Sequence, residues 1–221
     1  MKRRPTPELL DSDSGTPREI AASLADLQRV NRWFGGIHTT LRMLERVARI
    51  TGKSKFSLLE VAAGSGDVPR RAQELLGRQG IELRLTMLDR SPSHLDHSDS
   101  LVVADALALP FPEASFDVVS TGLFAHHLCP EELLTFVGRA LAVCRIAVLI
   151  NDLIRNPIHL GLVYAGYPLY RSRLTRHDGP ASVRQAYTPD EMRELVTRAG
   201  AARVEVGRYY LFRMGVLVWK Q

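Results

Sequence analysis

Short runs of apolar residues alternate with longer amphipathic stretches through the middle of this chain. Four such runs begin at Phe56, Leu83, Leu101 and Phe116, and a fifth covers residues 143–150. Short continuous apolar runs are typical of strands that are buried on both faces of a parallel sheet. Because helix-like stretches separate several of the runs, the pattern predicts an α/β, Rossmann-like fold.

The segments on either side of this core follow other patterns. Residues 1–16 are rich in Pro, Ser, Asp and Thr, which predicts a flexible leader. Two amphipathic helices separated by Gly35-Gly36 are predicted over residues 17–52, as an N-terminal helical cap. An insertion at 153–187, with an apolar helix and a basic loop, precedes a last helix and two strands. We therefore predict a leader, a cap and a main domain over 53–221, with the insertion forming part of a pocket.

Composition and charge exclude several classes of protein. The 221 residues are 45% hydrophobic and 24% charged, which is ordinary for a globular protein and unlike a disordered or collagen-like chain. The formal net charge of +5 permits an anionic partner without requiring one. Cys129 and Cys144 do not form a metal-binding or disulfide pattern, so a reducing cytoplasm is predicted. No apolar stretch approaches the roughly 20 residues of a membrane-spanning helix, and no transmembrane segment is expected.

The first apolar run leads into a glycine-rich turn, Gly64-Ser-Gly66, with a helix predicted directly after it. Glycines let the backbone approach a ligand closely, and the free N–H groups at the start of the helix would face that ligand. Pro69 occupies the position where a dinucleotide-binding turn needs a small residue, which disfavours a dinucleotide. The carboxylate of Glu60 would repel a pyrophosphate and suits a ligand that carries an ammonium group.

Two further carboxylates follow the next two runs. Asp89 ends the second run and Asp105 follows the third. An acidic residue at the spacing of Asp89 accepts ribose hydroxyls, and one at Asp105 can accept from the amine of adenine. Ligands of open α/β sheets bind at the carboxyl ends of the strands, where these side chains are expected to meet.

Together these residues resemble the class I S-adenosylmethionine-dependent methyltransferases. The resemblance covers about Phe56 to Asn151, and is most similar to small-molecule enzymes such as quinone-biosynthesis methyltransferases, of the kind found in secondary metabolism. The segments that carry it are Leu59–Gly66, Leu88-Asp89, Ala104–Phe111, Ser115–Ser120 and His126-His127-Leu128. It implies a seven-stranded, mostly parallel sheet with helices on both faces and an antiparallel last strand, capped by the N-terminal helices and the insertion.

The resemblance also implies the cofactor, S-adenosyl-L-methionine, with S-adenosyl-L-homocysteine as product. Glu60 would position the methionine ammonium group, Asp89 would take the ribose, and Asp105 with Ala106 would bind the adenine edge. The predicted cofactor-binding residues are Arg32, Glu60, Ala62, Gly64, Gly66, Asp89, Arg90, Asp105, Ala106, Gly122 and Leu123.

The acceptor is expected to be a small hydrophobic molecule, aromatic or phenolic, methylated on oxygen or carbon. A neutral oxygen must lose its proton, and histidine is the usual base near pH 7. The candidate catalytic residues are His126, His127 and His159. The apolar insertion and the N-terminal helices would form the acceptor pocket, with Trp33, Phe124, Tyr164 and Tyr167 as predicted substrate-binding residues.

Other chemistries are less well supported. The stretch from His94 to Asp99 carries metal-ligand side chains, but no second cluster matches it, and no metal is predicted. No nucleic-acid partner is expected, because the residues 120–124 lack the proline-rich run common in enzymes that methylate base amines. Two alternatives stay open: an RNA methyltransferase, which the basic pI near 9.5 suggests, and a non-catalytic S-adenosylmethionine-binding partner protein. The oligomeric state is also open, with a homodimer as one possibility.

Overall fold

The computed structural model of the chain describes residues 1–12, 14–91 and 100–220. In this part of the chain seven strands form a single sheet. They are β1 (Lys55–Val61), β2 (Glu82–Asp89), β3 (Ser100–Val103), β4 (Phe116–Gly122), β5 (Cys144–Leu153), β6 (Arg203–Arg208) and β7 (Arg213–Trp219). Their order in the sheet is β3-β2-β1-β4-β5-β7-β6.

The sheet is parallel from β3 to β5, and β7 runs antiparallel to both of its neighbours, β5 and β6. This confirms the predicted sheet with its antiparallel last strand. The register places Glu60 beside Met87 of β2 and Ser120 of β4, and Asp89 beside Val103 of β3. The carboxylates that follow the strands therefore lie along one edge, as parallel strand ends require.

Seven α-helices accompany the sheet within the described residues. They are α1 (Pro17–Trp33), α2 (Gly36–Thr51), α3 (Asp67–Gly77), α4 (Pro130–Val143), α5 (Pro157–Ala165), α6 (Arg173–Gln185) and α7 (Pro189–Arg198). Several boundaries follow from local chemistry, since Thr16 and Thr188 form capping boxes and Gly52 ends α2 in the left-handed conformation.

Helices cover both faces of the sheet and bury two apolar cores. On one face α2 and α3 pack over the strands, and Met43, Val47 and Leu76 are buried there. On the other face α4 and α7 do the same, with Phe136 and Met192 inside. The predicted N-terminal cap thus divides into two parts, because α2 is a layer of the domain while α1 packs against α6 and not on the sheet.

Two segments differ from what the sequence predicts. Residues 1–12, expected to be a flexible leader, are held by hydrogen bonds to Asp178, Gln185 and other groups far along the chain. The basic stretch after Arg171, expected to be a loop, is the start of α6, because the Ser172 side chain caps that helix by accepting from the Leu174 N–H. In both places polar residues make specific contacts that composition alone does not reveal.

Candidate active site

A cavity of about 610 Å³ lies at the carboxyl ends of the strands. Its inner wall consists of the strand-end residues and loops after β1, β2, β3 and β4. Its outer wall consists of residues 1–12, α1, α5 and α6. A volume of this size is typical of small-molecule sites, and it stands where an open α/β sheet binds its ligand.

The turn after β1 is pinned in an unusual backbone conformation. Ala62, Gly64 and Gly66 all have positive φ angles, of 54°, 53° and 69°. A side chain at Gly66 would come within 2.4 Å of the Met87 sulfur, whereas one at Gly64 would meet nothing within 4 Å. Gly66 is therefore needed for packing, and Gly64 leaves open space on the cavity side. A positive φ at Ala62 is strain of the kind that concentrates at functional sites.

Asp89 organises this turn. Its Oδ2 accepts a hydrogen bond from the Gly64 N–H at 2.8 Å, and its Oδ1 accepts from the Ser91 N–H at 2.9 Å. Each carboxylate oxygen has a second lone pair, so Asp89 can still accept from a ligand hydroxyl. Asp105 is arranged in the same way after β3, where its Oδ1 accepts from the Leu107 N–H at 2.8 Å.

Glu60 is a buried carboxylate whose hydrogen bonding is incomplete. It is 3% exposed, and its Oε2 has no hydrogen-bond partner among the described residues. Burial raises the pKa of Glu60 to about 7, against an opposing effect of the Ser120 hydroxyl. A buried unsatisfied carboxylate is costly in a finished structure. A ligand ammonium group would satisfy it, which is the role that the resemblance implied.

The turn after β4 is the last part of the inner wall. Gly122 and Leu123 line the cavity, and Leu123 has a positive φ of 55°. Its N–H donates to the Asn151 carbonyl oxygen at 2.9 Å, which holds the strained turn in place. A side chain at Gly122 would lie 3.7 Å from Glu60 Oε1, so this position is next to the buried carboxylate.

His126 and His127 both line the cavity, but both rings are engaged with carboxylates. His126 Nδ1 lies 2.6 Å from Asp152 Oδ1, and His126 Nε2 lies 3.5 Å from Glu8 Oε1. Burial opposes the charged ring, yet the carboxylate of Asp152 outweighs it and raises the pKa of His126 to about 10. His127 Nδ1 lies 2.7 Å from Asp11 Oδ2, and its Nε2 lies 4.0 Å from Glu8 Oε1.

His159, at the start of α5, differs from that pair. Its Nδ1 lies 3.1 Å from the carbonyl oxygen of Ile154, so Nδ1 carries the proton and Nε2 is the acceptor. Its ring stacks on Phe212 at 4.9 Å. Burial lowers the pKa of His159, and the positive charge of Arg213 lowers it further. The ring is therefore neutral at pH 7 and has a free basic nitrogen in the cavity wall.

Arg213, the first residue of β7, contributes a buried guanidinium to the same wall. It is 2% exposed and donates to neutral oxygens, at 2.8 Å to Asn31 Oδ1 and 3.5 Å to Asn151 Oδ1. Burial lowers the pKa of Arg213 to about 10, although the Asp152 carboxylate opposes the shift. The cavity thus has a buried positive charge on the side of His159.

Most of the predicted site residues line the cavity together. These are Glu60, Ala62, Gly64, Asp89, Arg90, Asp105, Ala106, Gly122, Leu123, Phe124, His126, His127 and His159. Five others are not part of its wall: Arg32, Trp33, Gly66, Tyr164 and Tyr167. Trp33 is 63% exposed at the end of α1. Tyr164 follows the wall residue Val163 by one position, so its side chain points away from the cavity. There its hydroxyl accepts a hydrogen bond from the Arg184 guanidinium.

Sequence reasoning missed several groups of the wall. They are Glu8, Asp11, Asn31, Asp178 and Arg213. Arg213 left a detectable signal, since it is a charged residue at the start of an otherwise apolar strand. Glu8 and Asp11 left none, because they belong to a polar segment whose position depends on tertiary contacts. The stretch from His94 to Asp99 lies outside the described residues.

Comparison with known proteins agrees with this arrangement. Residues 58–146 match a family model described as a methyltransferase domain. A S-adenosylmethionine-dependent methyltransferase from Aquifex aeolicus shares the fold, with 14% identity, a TM-score of 0.61, and 94% of this chain and 100% of that chain covered. The plantazolicin methyltransferase BamL shares it with 14% identity and a TM-score of 0.65 over 93% and 98% of the two chains.

A third solved structure is an O-methyltransferase family 2 protein from Planctomyces limnophilus in complex with apigenin. It has 19% identity and a TM-score of 0.52, and covers 75% of this chain and 50% of that chain. No curated protein sequence matches the chain.

The family match runs from within β1 to the beginning of β5, and therefore includes every loop of the inner wall. The match covers every segment that carries the resemblance predicted from the sequence, and so supports that resemblance. Within the described residues no helix is both long and apolar enough to span a membrane.

Proposed function

We propose that this protein transfers a methyl group from S-adenosylmethionine to a hydroxyl group of a small, largely apolar acceptor of the phenol type. The observation that carries the proposal is His159. The Ile154 carbonyl holds its Nδ1 and leaves Nε2 as the basic nitrogen, and within the described residues no carboxylate pairs with this ring, whereas carboxylates face both ring nitrogens of His126 and His127. A base of this kind is needed for oxygen methylation, because a hydroxyl must lose its proton as it attacks.

The inner wall fits the donor. The buried Glu60 carboxylate would bind the ammonium group of the methionine part, and Asp89 and Asp105 have lone pairs left for ribose hydroxyls and the adenine edge. Bound S-adenosylmethionine supplies a methyl group that its sulfonium makes electrophilic. The strained turn at Leu123 and the small Gly122 would leave room for that end of the donor beside Glu60.

The protein's own part in the reaction is to align the acceptor and to take its proton. Nε2 of His159 would accept the hydroxyl proton, since the Ile154 carbonyl fixes the Nδ1–H tautomer. His126 suits this role poorly, because carboxylates face both of its ring nitrogens. The buried charge of Arg213 on the same side would stabilise the developing oxyanion.

The outer wall supports an apolar acceptor. Together with the charged groups of Glu8, Asp11 and Asp178, several aliphatic side chains from α1, α5, α6 and the end of β5 line the cavity. These are Leu24, Leu27, Val30, Leu153, Val163 and Val183. Apolar walls with a small number of fixed polar groups are typical of sites for small organic molecules. The solved relative with bound apigenin suggests polyphenols as the first compounds to test.

The test is a turnover assay of purified protein with a panel of phenols, including apigenin, that measures release of S-adenosylhomocysteine. The decisive variant is His159→Asn, because the asparagine amide can still donate to the Ile154 carbonyl while the base is lost. We expect a decrease in kcat of about 10²–10⁴-fold. The affinity for S-adenosylhomocysteine should stay within twofold.

His38→Asn is the matched control, since His38 is exposed on α2 and is not part of the cavity wall. For the unmodified protein, kcat/KM should decrease only below the ordinary histidine pKa of about 6.5, because burial lowers the pKa of His159. Full activity of His159→Asn, or turnover of RNA in preference to every small acceptor, would overturn the proposal.

The cellular setting belongs to the same proposal. Cys129 and Cys144 are free thiols, which supports a reducing, cytoplasmic compartment. A homodimer stays a prediction, and the mass of the native protein in solution would decide it.

A further inference from the structure

We propose that Glu8, His126 and His127 form a binding site for a divalent first-row transition metal at the rim of the cavity. Nε2 of each histidine faces the same carboxylate oxygen, Glu8 Oε1, at 3.5 and 4.0 Å. One possible ligand atom from each of the three residues lies within 4.8 Å of the corresponding atoms of the other two. Within residues 1–12, 14–91 and 100–220 this is the only such group.

The distances fit a metal better than a hydrogen-bonded cluster. Charge-assisted hydrogen bonds between imidazole and carboxylate are about 2.7–2.9 Å long, and both Nε2 atoms are too far from Glu8 for that. Ligands held at roughly 2.0–2.2 Å around one ion are themselves about 3–3.5 Å apart. The distances of 3.5 and 4.0 Å from the two Nε2 atoms to Glu8 Oε1 are therefore close to the spacing of ligands around one ion.

The second observation is the arrangement behind the ligands. Asp152 holds Nδ1 of His126 at 2.6 Å, and Asp11 holds Nδ1 of His127 at 2.7 Å. Histidines that bind metals almost always donate the other ring N–H to an oxygen in this way, which fixes the tautomer and raises the basicity of the ligating nitrogen. Both His126 and His127 have such a partner at Nδ1. The Nε2 atom of each faces the third ligand, which is the carboxylate oxygen of Glu8.

Two histidines and one carboxylate leave at least one coordination position open. Nitrogen and oxygen ligands of this kind suit zinc, iron, cobalt or manganese, and open positions are typical of metal sites that bind a substrate or water. All three residues line the cavity, so an open position would face the acceptor pocket. On the proposed function, which this last step presupposes, the metal would bind the acceptor oxygen.

The metal would also tie the N-terminal segment to the domain. Glu8 lies 118 positions before His126, and it also accepts hydrogen bonds from Ser182 and Gln185 of α6. Binding an ion between Glu8 and the two histidines would therefore join residues 1–12, the turn after β4 and α6. No sequence motif indicates a metal site here, because Glu8 lies far along the chain from the adjacent His126 and His127.

The experiment is titration of the metal-free full-length protein with Zn²⁺ by calorimetry, and with Co²⁺ by visible absorption, at pH 8 and without acceptor or cofactor. We expect one ion per chain with a Kd in the micromolar range or tighter, and Co²⁺ bands typical of a bound ion with low coordination number. His127→Ala and Glu8→Gln should each weaken binding at least tenfold. Glu8→Gln is chosen because a glutamine oxygen can still accept from Ser182 and Gln185.

A variant of the carboxylate that pairs with His127 Nδ1, and a control, complete the test. Asp11→Asn should weaken metal binding by about 10–100-fold, the usual effect of losing a carboxylate behind a ligating histidine. His38→Ala, on the exposed surface of α2, should leave binding unchanged. Equal affinities of the unmodified protein and His127→Ala, or no binding at 1 mM Zn²⁺ to a folded protein, would overturn the proposal. Since no acceptor or donor is present, either result leaves the proposed methyl transfer to be judged separately.

Discussion

On the inner wall of the cavity Asp89 holds the Gly64 amide from 25 positions away, whereas on the outer wall Asp178 holds the amides of Leu9 and Leu10 from 169 and 168 positions away. The inner wall is built from the ends of four neighbouring parallel strands, β1 to β4, and the loops that follow them. The outer wall is assembled from segments at the two ends of the chain. Local units form with little loss of chain entropy, while distant contacts depend on the completed fold.

This difference matches the chemistry that the proposed function assigns to each wall. On that proposal the inner wall would bind the methyl donor, through strand ends with backbone-held carboxylates. The outer wall would select the acceptor, and its residues lie outside the strands of the sheet. We therefore expect changes to the inner wall to affect donor binding, and changes to the outer wall to affect the acceptor.

The largest effect is expected from Asp89→Ala. Removing the carboxylate leaves the Gly64 and Ser91 N–H groups without their acceptor and removes the proposed ribose contact. A hydrogen bond to a charged group contributes about 1.5–3 kcal/mol, so the affinity for S-adenosylhomocysteine should decrease about a hundredfold. Calorimetric titration measures it directly.

The control for Asp89→Ala is Asp190→Ala, in the exposed first turn of α7. That variant should bind S-adenosylhomocysteine like the unmodified protein. If Asp89→Ala instead retained full donor affinity and lost only acceptor turnover, the assignment of the two walls would be reversed.

A second, smaller effect concerns Glu60 and pH. The pKa of Glu60 is raised to about 7 in the unliganded protein, so the carboxyl group is neutral below that pH and must lose its proton to bind an ammonium group. The Kd for S-adenosylhomocysteine should therefore rise about tenfold from pH 8 to pH 6. Glu60→Gln should bind more weakly at pH 8 and show no such dependence, as calorimetry at several pH values would test.

Glu60 also affects how the stability of the folded protein depends on pH. The effect is opposite in sign to that of a carboxylate whose pKa is lowered by folding. Because the pKa of Glu60 in the folded protein is above its ordinary value of 4.5, the unliganded protein loses stability as pH rises from about 4.5 through 7. At pH 8 Glu60→Gln should have a free energy of unfolding higher by about 3 kcal/mol, measured in urea without ligand. A less stable variant would mean that Glu60 is satisfied within the protein and is not waiting for an ammonium group.

A third change, in the outer wall, tests whether acceptor binding can be altered without altering donor binding. Asp178→Asn keeps one carbonyl oxygen for the Leu9 and Leu10 amides but loses the second acceptor and the charge. Hydrogen exchange of the amides of residues 9 and 10 should become faster, and KM for the acceptor should rise about fivefold, or about 1 kcal/mol. The affinity for S-adenosylhomocysteine should change by less than twofold, with Asp190→Asn as control.

The sequence predicted the inner wall much better than the outer wall, for the same physical reason. Glu60, Gly64 and Asp89 follow strands whose apolar pattern is visible, so their meeting at one edge of the sheet could be derived. Glu8 and Asp178 each form hydrogen bonds with residues that are distant in the sequence, and no local pattern predicts these contacts. Residues 1–16 were accordingly predicted to be a flexible leader, although Arg3, Thr6 and Leu9 form hydrogen bonds with α6.

The smallest effects are expected at predicted substrate-binding residues that do not line the cavity in the structure. Val163 and Tyr164 are neighbours in α5, but His159 and Val163, four positions apart, share the face that lines the cavity. Val163→Ala should therefore raise KM for the acceptor severalfold, since it removes apolar contact area equivalent to about 1–2 kcal/mol. Tyr164→Phe and Trp33→Ala should change KM by less than twofold and the free energy of unfolding by less than about 0.5 kcal/mol. Steady-state kinetics with a phenol that is turned over would measure all three, and a larger effect of Tyr164→Phe than of Val163→Ala would show that α5 presents a different face to the acceptor.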